Sequence, residues 1–264
     1  MKKLLFVVAH AGDESLFAGG TIAKYSKAGW DIHLICASRG KSGECEFSDP
    51  TPGKTAEILN IGTYTVLDYD AGALALLSPG ELEGTLFPIV KDYGPDVVIT
   101  LEPGGITRHP DHKKASLAAT FVFQKYAKSI STVQVPGQRG KRFWERQTLA
   151  ESRKETTQDV KLYYACLPAS VIAYLKKQKV IRVDPSGRFW AEIPDKSVTT
   201  VINIHKVVKK KAQAIGAYGA ATEEIDALLS LKGNPMAQKE YFILRMHGVC
   251  EVYMGKKDTV SDRL

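Results

Sequence analysis

A chain of 264 residues with 44% hydrophobic and 25% charged residues has material for one large α/β domain or two small ones around a full core. The 36 basic and 29 acidic residues leave a net charge of +7. That surplus is spread out, apart from Lys209-Lys210-Lys211 and the stretch 139–153, so it favours solubility without establishing nucleic-acid binding. Cys36, Cys45, Cys166 and Cys250 form no C-x-x-C pair, which excludes a cysteine-rich zinc module, and no run approaches the roughly 18 apolar residues of a membrane span.

In chain order, Leu4–Ala9 reads as a buried strand and Ser15–Ala28 as a helix ending at Gly29. Asp31–Ser38 is a second strand, followed by the glycine-rich loop 39–43. Thr55–Asn60 reads as a short helix, Thr63–Leu67 as a strand, Pro79–Tyr93 as a helix and Asp96–Leu101 as a strand. Helix Asp111–Lys128 comes next. Residues 129–159 are polar, basic and without periodicity, and read as a loop or cover. Leu162–Leu167 is strand-like, Pro168–Lys177 helical, Thr199–Ile204 a strand, Val207–Ala217 a helix and Tyr241–Met246 a last strand. Continuous apolar strands between helices imply a parallel sheet covered on both faces, and such sheets bind ligands at the carboxyl ends of their strands. The expected fold is α/β, a Rossmann-like three-layer arrangement with a mostly parallel sheet in one domain, 1–264. Cys36 and Cys166 lie in apolar runs and read as buried thiols. Lys2-Lys3 before an apolar run superficially resembles a signal peptide, but the run breaks at His10, so the chain is read as uncleaved and cytoplasmic.

Two polar clusters follow strands. His10-Ala11-Gly12-Asp13-Glu14 follows the first, and His109-Pro110-Asp111-His112 follows the strand ending at Leu101. Proline suits the first helical position, which makes His109 a cap and puts His112 in the first turn. Asp13 and Glu14 also suit an ordinary helix start, but that leaves His10 without a role. Imidazole and carboxylate groups at two strand ends are the donor set of a catalytic zinc with one open position. Gly40-Lys41-Ser42 and Gly53-Lys54-Thr55 imitate the end of a phosphate loop, but Ile35 and Ser48 stand where that motif needs glycine. No Gly-x-Ser-x-Gly elbow is present. Phe143 and Trp144 within the basic stretch could stack on a sugar or a base, but a solvated loop anchored by the two aromatics is the reading preferred over both. Lys209-Lys210-Lys211 reads as the exposed side of a helix.

His10-x-x-Asp13-Glu14, Gly19-Gly20-Thr21, Ser38-Arg39-Gly40 and His109-Pro110-Asp111-His112 resemble the LmbE-like (PIG-L-like) de-N-acetylases. Leu162-Tyr163-Tyr164, Thr199–Asn203 and Lys211-Ala212 extend the resemblance over most of the chain. The resemblance implies a zinc ion, or another divalent transition metal, held by His10, Asp13 and His112. It implies that His109 stabilises the oxyanion or protonates the leaving amine, and that Asp111 fixes a histidine tautomer. The implied partner is a small amino sugar or sugar conjugate, with no nucleic acid and no stable membrane insertion, and the chain is compatible with a homo-oligomer. Three positions depart from the family pattern: Gly12 replaces the general-base aspartate, Asp70-Ala71-Gly72 replaces Pro-Asp-Gly, and Tyr218–Ala221 replaces a His-x-Ser/Thr-Gln pattern. Glu14, Glu44, Glu102 and Asp111 are the carboxylates that could substitute as base. The leading reading is a metal-dependent hydrolase removing an acetyl or other acyl group. The alternatives are a non-catalytic relative that binds a sugar conjugate and, from charge alone, a nucleotide- or nucleic-acid-binding domain.

Overall fold

A computed structural model describes residues 1–39, 52–133, 155–156, 159–178, 190–218, 233–253 and 259–264. The first half contains β1 (Lys3–Val8), α1 (Asp13–Lys27), β2 (Asp31–Cys36), α2 (Pro52–Leu59), β3 (Thr63–Val66), α3 (Glu81–Tyr93), β4 (Val97–Leu101) and α4 (Pro110–Ile130). The second half contains β5 (Thr132–Val133), β6 (Glu155–Thr156), β7 (Lys161–Cys166), α5 (Ala169–Lys177), β8 (Thr200–Asn203), α6 (Val208–Gly216), α7 (Pro235–Gln238), β9 (Lys239–His247) and β10 (Cys250–Glu251).

Five strands run parallel in the order β3-β2-β1-β4-β7. The sheet then turns antiparallel: β9 pairs with β7, β8 and β10. Side chains of β1 alternate between the two faces, as a strand requires. Leu4, Phe6 and Val8 join Phe17, Ala18 and Ile22 of α1 and Ile172 and Leu175 of α5 in one core. Leu5, Val7 and Ala9 join Leu82, Leu86 and Val90 of α3 and Ala119, Val122 and Phe123 of α4 in the other. These two apolar layers are why the parallel strands read as unbroken hydrophobic runs. Cys36 and Cys166 are buried free thiols, as their surroundings imply. Among the described residues no helix is long and apolar enough to cross a membrane.

The chain leaves β3 and returns on the other side of β1, so the strand order reverses between β1 and β4. Loops at the carboxyl ends of these two strands diverge there and leave a crevice, the usual ligand position in open α/β sheets. The segment after β1 carries His10, and the segment after β4 carries His109–His112. That topology closes the sequence gap between the two clusters.

Residues 129–159 differ from the expected structureless cover where they are described. Helix α4 runs on to Ile130, and Thr132–Val133 pairs antiparallel with Glu155–Thr156. The rest of the expected cover, with Phe143 and Trp144, lies outside the described residues, as does the loop 40–43.

The lysine run is corrected more sharply. Lys209 and Lys210 are exposed, but Lys211 is completely buried and its Nζ lies 2.7 Å from Glu240 Oε1. The Glu240 carboxylate also accepts the backbone N–H groups of Gly20 (2.9 Å) and Thr21 (2.6 Å) in the middle of α1. Glycine is required at position 20, where a Cβ would lie 2.7 Å from side-chain carbons of Ile204. The Gly19-Gly20 pair therefore lets the segment joining β8 to α6 press against α1, with one buried ion pair fastening it.

Candidate active site

Helix α1 begins one residue after Gly12, whose φ of 102° lies in the left-handed region. Glycine reaches that region without a steric penalty, and other residues rarely do. The Gly12 N–H donates to Glu14 Oε2 at 2.9 Å. Glu14 is fully buried, and its other oxygen accepts from the Ser15 hydroxyl (2.8 Å) and the Tyr218 hydroxyl (2.7 Å). Burial raises its pKa above the ordinary glutamate value against these hydrogen bonds. Glu14 thus turns into the protein and ties α1 to the end of α6. An aspartate at position 12 would have to adopt the left-handed backbone, so Gly12→Asp is expected to lose about 1–3 kcal/mol of stability. A denaturation curve checks this, and an unchanged midpoint would show that the turn relaxes freely.

The second segment is also strained. Ile106 has φ 50° and Arg108 φ 63°, neither a comfortable conformation for these residues. Glu102, at the end of β4, holds this loop by accepting the N–H groups of Gly104 (2.6 Å) and Ile106 (2.7 Å). Gly105 approaches His112 so closely that a Cβ would meet the His112 Cβ at 2.7 Å. Proline at the first position of α4 and His109 as its cap match the sequence expectation, with His109 Nδ1 accepting the Asp111 N–H at 3.1 Å.

These two segments bring the predicted residues together. His10 Nε2 lies 3.0 Å from Asp111 Oδ2, and Asp111 also accepts the N–H groups of Gly72 (2.6 Å) and Ala75 (3.1 Å). The Asp70-Ala71-Gly72 stretch therefore supports the site through its backbone. Desolvation would raise the Asp111 pKa, but the His10 and backbone hydrogen bonds outweigh it and hold the carboxyl below its usual value. For His10, burial works against the charged form. The Asp111 hydrogen bond and the charges of Asp13 and Asp111 prevail, so its pKa is raised.

His112 Nδ1 lies 3.0 Å from both Gly105 O and the Thr107 hydroxyl. The carbonyl can only accept, so Nδ1 carries the proton and Nε2 presents a lone pair. The same reasoning places the His10 proton on Nε2, facing Asp111, and leaves Nδ1 bare. His10 Nδ1 and His112 Nε2 are 3.0 Å apart, and Asp13 Oδ2 lies 3.2 Å from His112 Nε2. Three lone-pair donors cannot face one another at this range without a proton or metal cation between them. His10, His109 and His112 also form a cluster with ligand atoms within 4.8 Å, a group that could hold a metal ion.

A cavity of 240 Å³ opens beside these residues. Its polar lining is His10, Asp13, Thr107, His109 and His112, together with the backbone at Gly12. The rest is Leu16, Phe17, Ile215 and Tyr218. Thr107, Leu16, Phe17 and Ile215 are absent from the sequence reading, which named Glu102 only as a possible substitute base and Tyr218 only as a departure from the family pattern; the apolar wall carries no local signal. Of the possible substitute bases, Glu14, Glu102 and Asp111 are each committed to the hydrogen bonds above, and Glu44 lies outside the described residues.

Residues 5–123 match the family model described as PIG-L: GlcNAc-PI de-N-acetylase. That matched stretch, similar to the PIG-L (LmbE-like) family, contains both histidine clusters. It is 24% identical, over 282 aligned positions, to the 1D-myo-inositol 2-acetamido-2-deoxy-alpha-D-glucopyranoside deacetylase of Rhodococcus opacus (strain B4), covering 92% of this chain and 91% of that one. Among solved structures it resembles the N,N'-diacetylchitobiose deacetylase of Pyrococcus horikoshii, with TM-score 0.57 and 17% identity over 94% of this chain and 85% of that one. It also resembles GalB, the 4-carboxy-2-hydroxymuconate hydratase of Pseudomonas putida KT2440, with TM-score 0.56 and 18% identity over 96% of this chain and 100% of that one. At such identities the structural likeness shows the fold alone, the LmbE-like α/β fold expected from the sequence.

Proposed function

We propose that this PIG-L-like chain, as one domain over 1–264, is a metal-dependent amide hydrolase that removes an acetyl or related acyl group from an N-acylated amino sugar or sugar conjugate. The convergence of the His10, Asp13 and His112 lone pairs carries the reading, and the deacetylase of R. opacus, alignable over nearly the whole chain, supports the reaction class. Two imidazoles and one carboxylate are a donor set for zinc with an open position, although iron, cobalt, nickel or manganese suit such ligands too. A metal bound there supplies Lewis acidity toward an acyl oxygen and toward water.

The chain's own groups do the rest. Asp111 fixes the His10 tautomer, and Gly105 O fixes that of His112, so both rings present their lone pairs inward. His109 has a different duty. Its Nδ1 accepts a backbone N–H, which leaves the ring proton on Nε2. A ring in that tautomer cannot ligate through Nε2, but it can donate a hydrogen bond to an acyl oxygen gaining negative charge. The ligand set is therefore His10, Asp13 and His112 rather than the three histidines.

The attacking water's proton has no uncommitted carboxylate to accept it among the described residues once Asp13 is a ligand. Loss of a positioned base costs about 10²–10⁴-fold in rate, which predicts slow turnover. The same observation favours a second reading, a sugar-conjugate-binding relative without catalysis. The test is metal content by mass spectrometry, with hydrolysis of an N-acetylglucosaminyl conjugate before and after chelation. The expected result is about one metal ion per chain and acetate release that stops on chelation and returns with zinc. Metal with ligand binding but no acetate release would favour the second reading, and hydration of a carbon–carbon double bond would favour a reaction like that named for GalB.

A further inference from the structure

We infer that the pocket beside the metal-binding residues accepts an apolar acyl group longer than acetyl, so that the substrates are N-acylated amines with a short aliphatic or aromatic acyl chain. This inference rests on the amide-hydrolase reading and specifies which side of the amide the protein's inner wall recognises.

Apart from the His109 Nε2–H assigned above to the acyl oxygen, the polar lining of the cavity among the described residues is committed elsewhere. His10, Asp13 and His112 converge on one another, the Thr107 hydroxyl bonds His112 Nδ1, and the His109 ring is turned by the Asp111 N–H. What remains is the wall of Leu16, Phe17, Ile215 and Tyr218. Phe17, Ile215 and Tyr218 are at most 5% exposed, so this is an inner surface and not a rim. Tyr218 faces it with its ring, because its hydroxyl donates to buried Glu14. Phe17 is braced in turn by Trp190 in an edge-to-face contact at 6.0 Å.

An amide bound with its carbonyl oxygen at the ligand cluster must point one substituent toward this wall. A sugar placed there would lose water from several hydroxyls, and the wall side chains offer no replacement hydrogen bonds. An acyl chain meets no such penalty. The sugar or other amine part then lies toward solvent, and the acyl part lies inward. The reaction itself is ordinary hydrolysis: the water oxygen bonds to the acyl carbon and the C–N bond breaks. One water hydrogen ends on the departing amine nitrogen and the other on the carboxylic acid released.

The experiment compares N-acetyl-, N-butyryl- and N-hexanoylglucosamine as substrates of the full zinc-loaded chain. Acetate and hexanoate binding are measured beside them as a readout independent of turnover. Each added methylene that reaches the wall should raise kcat/KM up to about fourfold, and hexanoate should bind more tightly than acetate. Ile215→Trp, which fills the wall, should lower the hexanoyl-to-acetyl ratio, and Ile215→Ala should move the optimum to a longer chain. The second variant keeps the test open if the first does not fold. Acetyl cleaved as fast as hexanoyl, or a ratio unmoved by either variant, overturns the inference. Failure to cleave any of the three would sink the hydrolase reading instead, and the binding comparison would then decide the wall: equal affinity for acetate and hexanoate overturns the inference, and tighter hexanoate supports it.

Discussion

Lys211→Met is expected to destabilise the protein by about 3–5 kcal/mol, the usual cost of removing one member of a buried ion pair. Both partners are nearly inaccessible, with side chains only 1% and 2% exposed. The cost arises because Glu240 stays behind, charged, in a place water does not reach. Its remaining partners are the Gly20 and Thr21 N–H groups, which attract a carboxylate but cannot neutralise it. Packing adds to the effect, since the Lys211 Cγ sits 3.5 Å from where a Gly19 Cβ would be and its stem fills the joint between α1 and α6. Urea unfolding should show a lower midpoint at unchanged slope, while Lys210→Met on the exposed side should move nothing measurable. A Lys211→Met midpoint within error of wild type would mean that the buried ion pair contributes nothing net to stability. The double replacement of Lys211 and Glu240 by apolar residues should recover only part of the loss, because the carboxylate that accepts the two α1 amides would be gone.

This ion pair also marks where sequence reading stops. Three consecutive lysines look like a solvated face, and nothing within that run announces that the third turns inward. Its partner lies 29 residues further on, past a segment with no clear periodicity. The parallel half of the sheet was legible because both faces of β1, β2 and β4 are buried, leaving unbroken apolar runs. Strand β9 was only partly legible, and its mixture of buried, half-buried and exposed positions concealed its ends and its three antiparallel partners. At the site, histidines following strand ends pointed to His10 and the 109–112 cluster, and the proline-started helix was legible from local pattern, whereas the strand order that joins the two was not. The inward turn of Glu14 was not, because its hydroxyl partner Tyr218 lies 204 residues away. Gly12 looked like a missing carboxylate from sequence, and its backbone conformation adds a steric reason for glycine at that position.

Replacing Asp13 and His109 in parallel should separate metal retention from catalysis. Asp13→Ala removes one of the three converging donors, so the protein is expected to lose its metal and with it all measurable amide hydrolysis. His109→Gln should keep about one metal ion per chain if the proposed ligand set holds, because the His109 Nδ1 accepts the Asp111 N–H. Its rate should nonetheless fall about 10²–10³-fold, the typical loss when a single donor to a developing oxyanion is removed. The fall should appear in kcat more than in KM, since that hydrogen bond strengthens only as negative charge develops on the acyl oxygen. Glutamine preserves a polar group near the helix start, which limits the loss of capping at α4. Metal analysis and steady-state kinetics on the two variants give opposite signatures if Asp13 is the third ligand. Metal lost from His109→Gln but retained by Asp13→Ala would identify a three-histidine site and refute the tautomer argument. The physical basis of the expectation is one lone pair: the nitrogen that accepts the first amide of α4 leaves its ring neighbour protonated, and a protonated nitrogen repels a cation while it attracts an anion.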